Sequence, residues 1–324
     1  MRITVLGAGA WGTALAKLLH EARHEVVLWG HAERLATIKH KGCNERYLPG
    51  INLPEKLRLE PNLSTALDGA GCAVVAVPSL NFREVAGGLK DFNGIVVSVT
   101  KGIEHDSGLT MGGILKECAP NTQIAALSGP SLAAEVARGI PTALVSASAD
   151  EATAKVVQDI FHRPTLRVYT STDLAGVELG GALKNVVAIA AGVCDGFQFG
   201  DNAKAALITR GLAEMRRLGV ALGARPETFS GLSGMGDLTV TCFSKLSRNR
   251  TLGERLAQGE GLKTVLKDAT AEGHPTTCSA HQLAQRLGIT TPIIDQAHAM
   301  LYKGKGVEEA VRDLLTRESK PEDD

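Results

Sequence analysis

The sequence predicts an α/β protein, with a doubly wound N-terminal sheet followed by an all-α C-terminal domain. Three observations predict it. Short β-rich runs alternate with amphipathic segments through the first half of the chain. A glycine-rich turn follows the first run directly. The pattern then becomes wholly helical after about residue 170. A length of 324 residues fits about two domains, and the division falls between residues 1–171 and 172–324.

The β-rich runs are Ile3–Leu6, Glu25–Trp29, Leu57–Glu60, Ala73–Val77, Ile95–Val99, Gln123–Leu127, Thr142–Val145 and Leu166–Tyr169. Several are almost entirely apolar, as strands buried on both faces of a parallel sheet are. Gly12–Glu21, Phe82–Leu89 and Ser131–Arg138 supply amphipathic segments between them, and this alternation builds a doubly wound domain. No proline occurs between Pro164 and Pro226, and Leu179, Leu183, Val186, Val187 and Ala190 recur at helical spacing. Thr251–Gln258, Ser279–Leu287 and Val307–Leu315 are helical in pattern as well. The charged tail Arg317–Asp324 is expected to fray.

Composition excludes several functions. Lys+Arg and Asp+Glu stand at 35 each, a net charge of zero, which argues against nucleic-acid partners and a polybasic membrane anchor. With 44% hydrophobic residues the chain is not disordered. No apolar run is expected to reach the ~18 residues of a membrane span. The apolar start is too short for a secretory signal and reads as a strand. Cys43, Cys72, Cys118, Cys194, Cys242 and Cys278 form no C-x-x-C and fit no zinc spacing. Scattered cysteines of this kind point to reduced thiols in the cytoplasm. No H-E-x-x-H is present, so no metal is expected, and the absence of G-x-S-x-G weakens a serine hydrolase.

Gly7-Ala8-Gly9-Ala10-Trp11-Gly12 is a G-x-G-x-x-G placed between a strand and a helix, the Rossmann-like context that makes the motif informative. Its glycines let the backbone approach a pyrophosphate, and the helix N-terminus supplies N–H donors. About 20 residues on, an NAD site places a carboxylate for the ribose 2′-hydroxyl. Here the strand Glu25–Trp29 is followed by His31 and Arg34 instead. A basic end suits a 2′-phosphate and implies NADP use or dual specificity, while Glu33 pulls toward NAD.

Ligands of open α/β sheets bind beyond the carboxyl ends of strands. Pro78-Ser79, Thr100-Lys101-Gly102 and Ser128-Gly129-Pro130-Ser131 lie there. In the helical half, Lys184-Asn185 interrupts an apolar, small-residue helix that contains Gly180-Gly181. Lost hydration there lowers a lysine pKa toward neutrality, as a general acid/base requires. Asp237, in a glycine-rich turn expected to be mobile, can pair with Lys184, and Thr241 can meet substrate. Ser247-Arg248-Asn249-Arg250 opens a helix with a serine cap, free amides and a guanidinium, an arrangement suited to phosphate.

These motifs together resemble bacterial NAD(P)-dependent glycerol-3-phosphate dehydrogenases. The resemblance covers nearly the whole chain: GAGAWGTALA (7–16), VPS (77–79), SVTKGIE (98–104), LSGPSLAAEVARGIPTA (127–143), ELGGALKNVVAIAAGVCDG (178–196), LSGMGDLTVTC (232–242), SRNRTLG (247–253) and AEG (271–273). It implies hydride exchange between NADP or NAD and C2 of dihydroxyacetone phosphate or sn-glycerol 3-phosphate, for phospholipid synthesis. By position, Lys184 matches the proton donor and acceptor, with Asp237 and Lys101 beside it. Lys101, Gly129, Ser131, Lys184, Asn185, Asp237, Thr241, Ser247, Arg248 and Asn249 match substrate positions. Gly7, Gly9, Ala10, Trp11, Gly12, His31, Arg34, Lys101, Ala133, Arg248 and Glu272 match cofactor positions. The sequence departs from the family pattern at Leu132 and at His274-Pro275, the latter bearing on the contact at Glu272. A β-hydroxy-acid dehydrogenase would space the lysine and asparagine one helical turn apart, and a non-catalytic NADP sensor would not need Lys184, Asp237 and Arg248 together. A homodimer is compatible with the sequence.

Overall fold

The computed structural model describes residues 1–268, 271–319 and 321–322; Lys320, Asp323 and Asp324 of the tail lie outside them. The N-terminal lobe runs β1 (Arg2–Leu6), α1 (Ala10–Glu21), β2 (Glu25–Trp29), α2 (Ala32–Lys41), β3 (Cys43–Asn44), β4 (Leu48–Asn52), β5 (Arg58–Glu60), α3 (Leu63–Leu67), β6 (Cys72–Val75), α4 (Phe82–Gly87), β7 (Ile95–Ser98), α5 (Met111–Cys118), β8 (Gln123–Ser128), α6 (Ala133–Ala137), β9 (Thr142–Ala147), α7 (Glu151–Phe161) and β10 (Leu166–Ser171). Eight strands form one sheet in the order β10-β9-β8-β7-β6-β1-β2-β5. From β1 the chain builds outward through β2 to β5, then crosses back to β6 on the other side. The switch point therefore lies between the carboxyl ends of β1 and β6, where such sheets bind ligands. Ile3, Val5, Val74 and Val97 are fully buried, with helices on both faces.

Two features differ from the sequence-based expectation. The sheet is mixed, because β9 pairs antiparallel with β8 and β10 runs parallel to β9. The connection between β8 and β9 holds only the five-residue α6, and the chain re-enters the sheet from the edge it left. The second feature is the hairpin β3–β4, unannounced by any alternation of residues. Leu48 and Ile51 of β4 pack with Ala14, Ala137 and Trp11. The Asn44 amide donates to the Ala8 carbonyl (3.1 Å) and the Thr13 hydroxyl (2.8 Å), which fixes the hairpin to the turn after β1.

The second lobe is helical: α8 (Leu174–Gly196), α9 (Asp201–Ala221), α10 (Asp237–Phe243), α11 (Arg248–Ala257), α12 (Leu262–Asp268), α13 (Gly273–Leu287), α14 (Pro292–Tyr302) and α15 (Val307–Leu315). Contrary to the expected absence of a span-length apolar run, the 23 residues of α8 have a mean hydropathy of 1.5 over their best window and suffice to cross a membrane by length and composition. The apolarity has another cause here: α8 is the central helix of the lobe and is buried nearly throughout. Asp173 caps it through the Gly176 N–H (2.9 Å). Glu178, also on α8, accepts from the Gly112 N–H and the Thr110 hydroxyl, both at 2.7 Å, so the central helix also closes the N-terminus of α5. Burial lifts the Glu178 carboxyl to about 7.

Helices α8 and α11 meet backbone to backbone. A Cβ on Gly192 would stand 1.9 Å from the Arg250 carbonyl oxygen, and one on Gly253 would stand 1.9 Å from that of Ile189. Neither carbonyl can yield without breaking its helix. Gly253→Ala should therefore destabilise the protein by about 3 kcal/mol through overpacking, read as a lower midpoint in urea. An unchanged midpoint would mean that the two helices separate freely.

Candidate active site

The turn after β1 is shaped by its outer glycines. Gly7 has φ +122° and a Cβ there would lie 2.6 Å from the Ala76 carbonyl oxygen; a Cβ on Gly12 would lie 1.9 Å from that of Gly7. Gly9 differs, since a Cβ there would meet nothing within 4 Å. The open space lies over the start of α1, whose cap makes no side-chain hydrogen bond and whose first turn holds no acidic residue. Uncapped N–H groups beside a Cβ-free backbone fit a pyrophosphate. Trp11 and Ala133, at the start of α6, pack together with the hairpin beside this turn.

At the end of β2, His31 is exposed at the cap position of α2 and makes no capping bond. Arg34 donates to the Tyr47 phenol oxygen at 3.2 Å and its guanidinium lies 4.7 Å from the ring centroid. Glu33 is exposed. Tyr47 belongs to the hairpin turn, and sequence reasoning did not find it.

The chemistry gathers around Asp237, which is 2% exposed. Its Oδ1 lies 2.9 Å from the Lys184 Nζ, and its Oδ2 accepts from Lys101, which follows β7. Lys101 also donates to the Gly129 carbonyl (3.1 Å), as does the Ser131 hydroxyl (3.0 Å). Lys184 donates to the Thr241 hydroxyl oxygen at 2.6 Å, and Thr241 passes its own hydrogen to the Asp237 carbonyl at 2.6 Å. Lys101, Gly129, Ser131, Lys184, Asp237 and Thr241 thus form one connected network.

Burial lowers the Lys184 ammonium to about 8, aided by Lys101 and opposed by Asp237. Burial alone would raise the Asp237 carboxyl, but Lys101 and Lys184 outweigh it and hold the group below the usual range. The turn bearing Asp237 is not the mobile loop expected from its glycines. It is a π-helical turn, Leu232–Gly236, packed into the lobe, and a Cβ on Gly234 would stand 2.1 Å from the Phe229 carbonyl oxygen. The paired glycines of α8 have related uses. A Cβ on Gly180 would lie 2.8 Å from the Ser233 carbonyl oxygen, and one on Gly181 would lie 2.7 Å from the Ser128 hydroxyl and 3.4 Å from Lys101 Cγ. They admit protein neighbours.

At the start of α11, the Ser247 hydroxyl accepts from the Arg250 N–H at 3.2 Å. Asn249 is buried and bonded through both atoms of its amide: the nitrogen donates to Asn185 Oδ1 (2.8 Å) and the oxygen accepts from the Gly273 N–H (2.8 Å). Arg250 turns inward to Asp195 (2.5 Å) and Glu254 (3.1 Å). Arg248 is the exposed cation of the run and lines a small groove with Lys245, Thr251 and Arg255. Glu272 accepts from the Ser79 hydroxyl (2.5 Å) and N–H (3.3 Å), a bond between the lobes. Burial raises its carboxyl, and the Arg248 charge works against that shift. The departure at His274 is absorbed by packing, since its ring stacks on Tyr302 at 4.8 Å.

Comparison with known proteins agrees with this geometry. Residues 2–154 match the N-terminal part, and residues 173–312 the C-terminal part, of the NAD-dependent glycerol-3-phosphate dehydrogenase family. A glycerol-3-phosphate dehydrogenase [NAD(P)+] of Syntrophotalea carbinolica is 49% identical over 333 residues, covering 100% of both chains. One from Citrifermentans bemidjiense is 48% identical, covering 99% of this chain and 98% of that one. The crystal structure of a glycerol-3-phosphate dehydrogenase from Coxiella burnetii superposes with a TM-score of 0.94 at 38% identity, covering 98% of this chain and 99% of that one. The chain belongs to the NAD-dependent glycerol-3-phosphate dehydrogenase family.

Proposed function

We propose that the protein interconverts dihydroxyacetone phosphate and sn-glycerol 3-phosphate with NADPH or NADH as the redox partner. The observation that carries this reading is the Lys101–Asp237–Lys184 network between the lobes, two cations sharing one buried carboxylate. Such a site favours a small anion. Residues 1–171 hold the dinucleotide, with its pyrophosphate over Gly7, Gly9, Ala10 and Gly12, and residues 172–324 supply most of the substrate site. Bound nicotinamide supplies or accepts the hydride at C2.

The side chains do the rest. Lys184 donates a proton to the ketone oxygen in reduction and takes it back in oxidation, and its lowered pKa suits both roles. Asp237 and Thr241 fix the Lys184 amine, while Lys101 is held by Asp237 and Gly129 and supports the charge that develops on oxygen. Arg248 and the first turn of α11 bind the phosphate, which orients C2. Asn249 braces that turn against Asn185. All six cysteines are free, which supports a cytoplasmic enzyme; a role in supplying phospholipid synthesis and assembly as a homodimer belong to the same proposal.

The direct test follows absorbance of the reduced nicotinamide with dihydroxyacetone phosphate, and no oxidation of either NADH or NADPH would overturn the reading. Lys184→Ala should lower kcat at least ~100-fold, and near-normal turnover would remove its role. The protonated lysine is the donor, so kcat for ketone reduction should fall as pH rises through about 8, while the oxidative direction should gain over the same interval. Arg248→Ala should raise KM for dihydroxyacetone phosphate about tenfold or more; an unchanged KM would place the phosphate elsewhere.

A further inference from the structure

The hairpin carries a feature that the proposed reaction leaves unused. Its turn is closed by the Tyr47 N–H donating to the Asn44 carbonyl at 3.2 Å, which places Arg46 at the tip. The Arg46 guanidinium lies 5.3 Å from the Tyr47 ring centroid, and that of Arg34, from α2, lies 4.7 Å from it. Two cations from separate elements therefore share one phenol ring. A cation over an exposed aromatic face gains about 0.5–1 kcal/mol, which does not neutralise two like charges held close together.

Among the described residues no carboxylate forms an ion pair with either guanidinium. The two adjacent carboxylates do not supply one: Glu45 accepts the Cys43 thiol at 3.1 Å, and Glu33 is exposed with no ion pair to Arg34. The Tyr47 oxygen accepts from Arg34, so its own hydrogen is left to donate. Two guanidinium forks and a phenol O–H together match a phosphate dianion.

Position narrows the ligand. Asn44 ties the hairpin to Ala8 and Thr13, at the pyrophosphate turn. Arg34 sits in the helix after β2, where the adenine ribose lies in this class of sheet. We propose that Arg34, Arg46 and Tyr47 form a clamp for the 2′-phosphate of NADP, in which Arg46 is a specificity-determining residue contributed by the hairpin. This rests on the dinucleotide reading above and extends it from His31 and Arg34 to an element that lies outside the strand–turn–helix motif.

Calorimetric titration of the whole protein with adenosine 2′,5′-bisphosphate and with AMP isolates the 2′-phosphate without turnover. The wild-type protein should bind the bisphosphate at least about tenfold more tightly than AMP, and Arg46→Ala should cut that ratio by about tenfold. Arg46→Gln, which removes the charge and keeps a polar stem, should cut the ratio by a similar factor and carries the test if the alanine variant does not fold. The NADPH-to-NADH ratio of kcat/KM should fall in parallel. A binding ratio unchanged in Arg46→Ala, with wild type still preferring the bisphosphate, overturns the role of Arg46 and leaves NADP use standing. Equal binding of the two nucleotides by wild type overturns the NADP preference and the clamp together.

Discussion

One buried carboxylate, Asp237, joins the two lobes by accepting from Lys101 of the first and Lys184 of the second. Removing such charges from water costs several kcal/mol per ion. The cost is recovered only where further hydrogen bonds meet the groups so buried, and each ammonium here has a second partner besides Asp237. Lys101 reaches the Gly129 carbonyl, and Lys184 reaches the Thr241 hydroxyl, whose hydrogen returns to the Asp237 backbone. The same arrangement explains why α8 carries two glycines in sequence one turn before Lys184. Gly180 lets the turn that bears Asp237 come close, and Gly181 leaves room for the Lys101 stem. Each costs about 1 kcal/mol of helix propensity, which is small beside a misplaced buried charge.

The second half of the site hangs from the same helix. Gly192 and Gly253 bring the α8 and α11 backbones into contact, and this closeness lets Asn249 reach Asn185 directly. Asn249 then takes the Gly273 N–H, which positions Glu272 for its bond to Ser79. Lys184 and the start of α11 are therefore not on independent loops. Both are referenced to α8, so their separation is set by helix geometry.

The residues that could be read from the sequence are those whose role is local. Gly7 and Gly12 are required by contacts within one strand–turn–helix, and Lys184 stands out because a charged residue breaks an apolar helical pattern. What could not be read depends on distant partners. The reversal of β9 is a matter of which edge of β8 the strand pairs with and in which direction, and no local residue pattern marks it. The hairpin β3–β4 has a two-residue first strand and Pro49-Gly50 in its second, so no alternation marks it, yet it is held by Asn44 to residues some 30 positions away. The glycines around Asp237 signal flexibility by composition and close packing by structure, and only the neighbours of Gly234 decide between them. Likewise α8 has the composition of a membrane span, and its surroundings give the apolarity its meaning.

Net charge shows the same dependence on place. A chain with equal numbers of cations and anions has no overall field with which to attract a phosphate. The attraction must come from local imbalance, and the structure contains two such places. At the cleft, two ammonium groups share Asp237, and Arg248 stands exposed at the start of α11. At the far end, Arg34 and Arg46 meet on Tyr47 with no ion pair to a carboxylate among the described residues. Both lie on the carboxyl side of the sheet, separated by the open turn at Gly9. Local imbalances act over roughly a Debye length of ~8 Å at physiological salt, so each can bind its own anionic group while the distant surface stays neutral. A molecule with phosphates at one end and a reactive carbon at the other is selected by that spacing, which uniform positive charge would not provide.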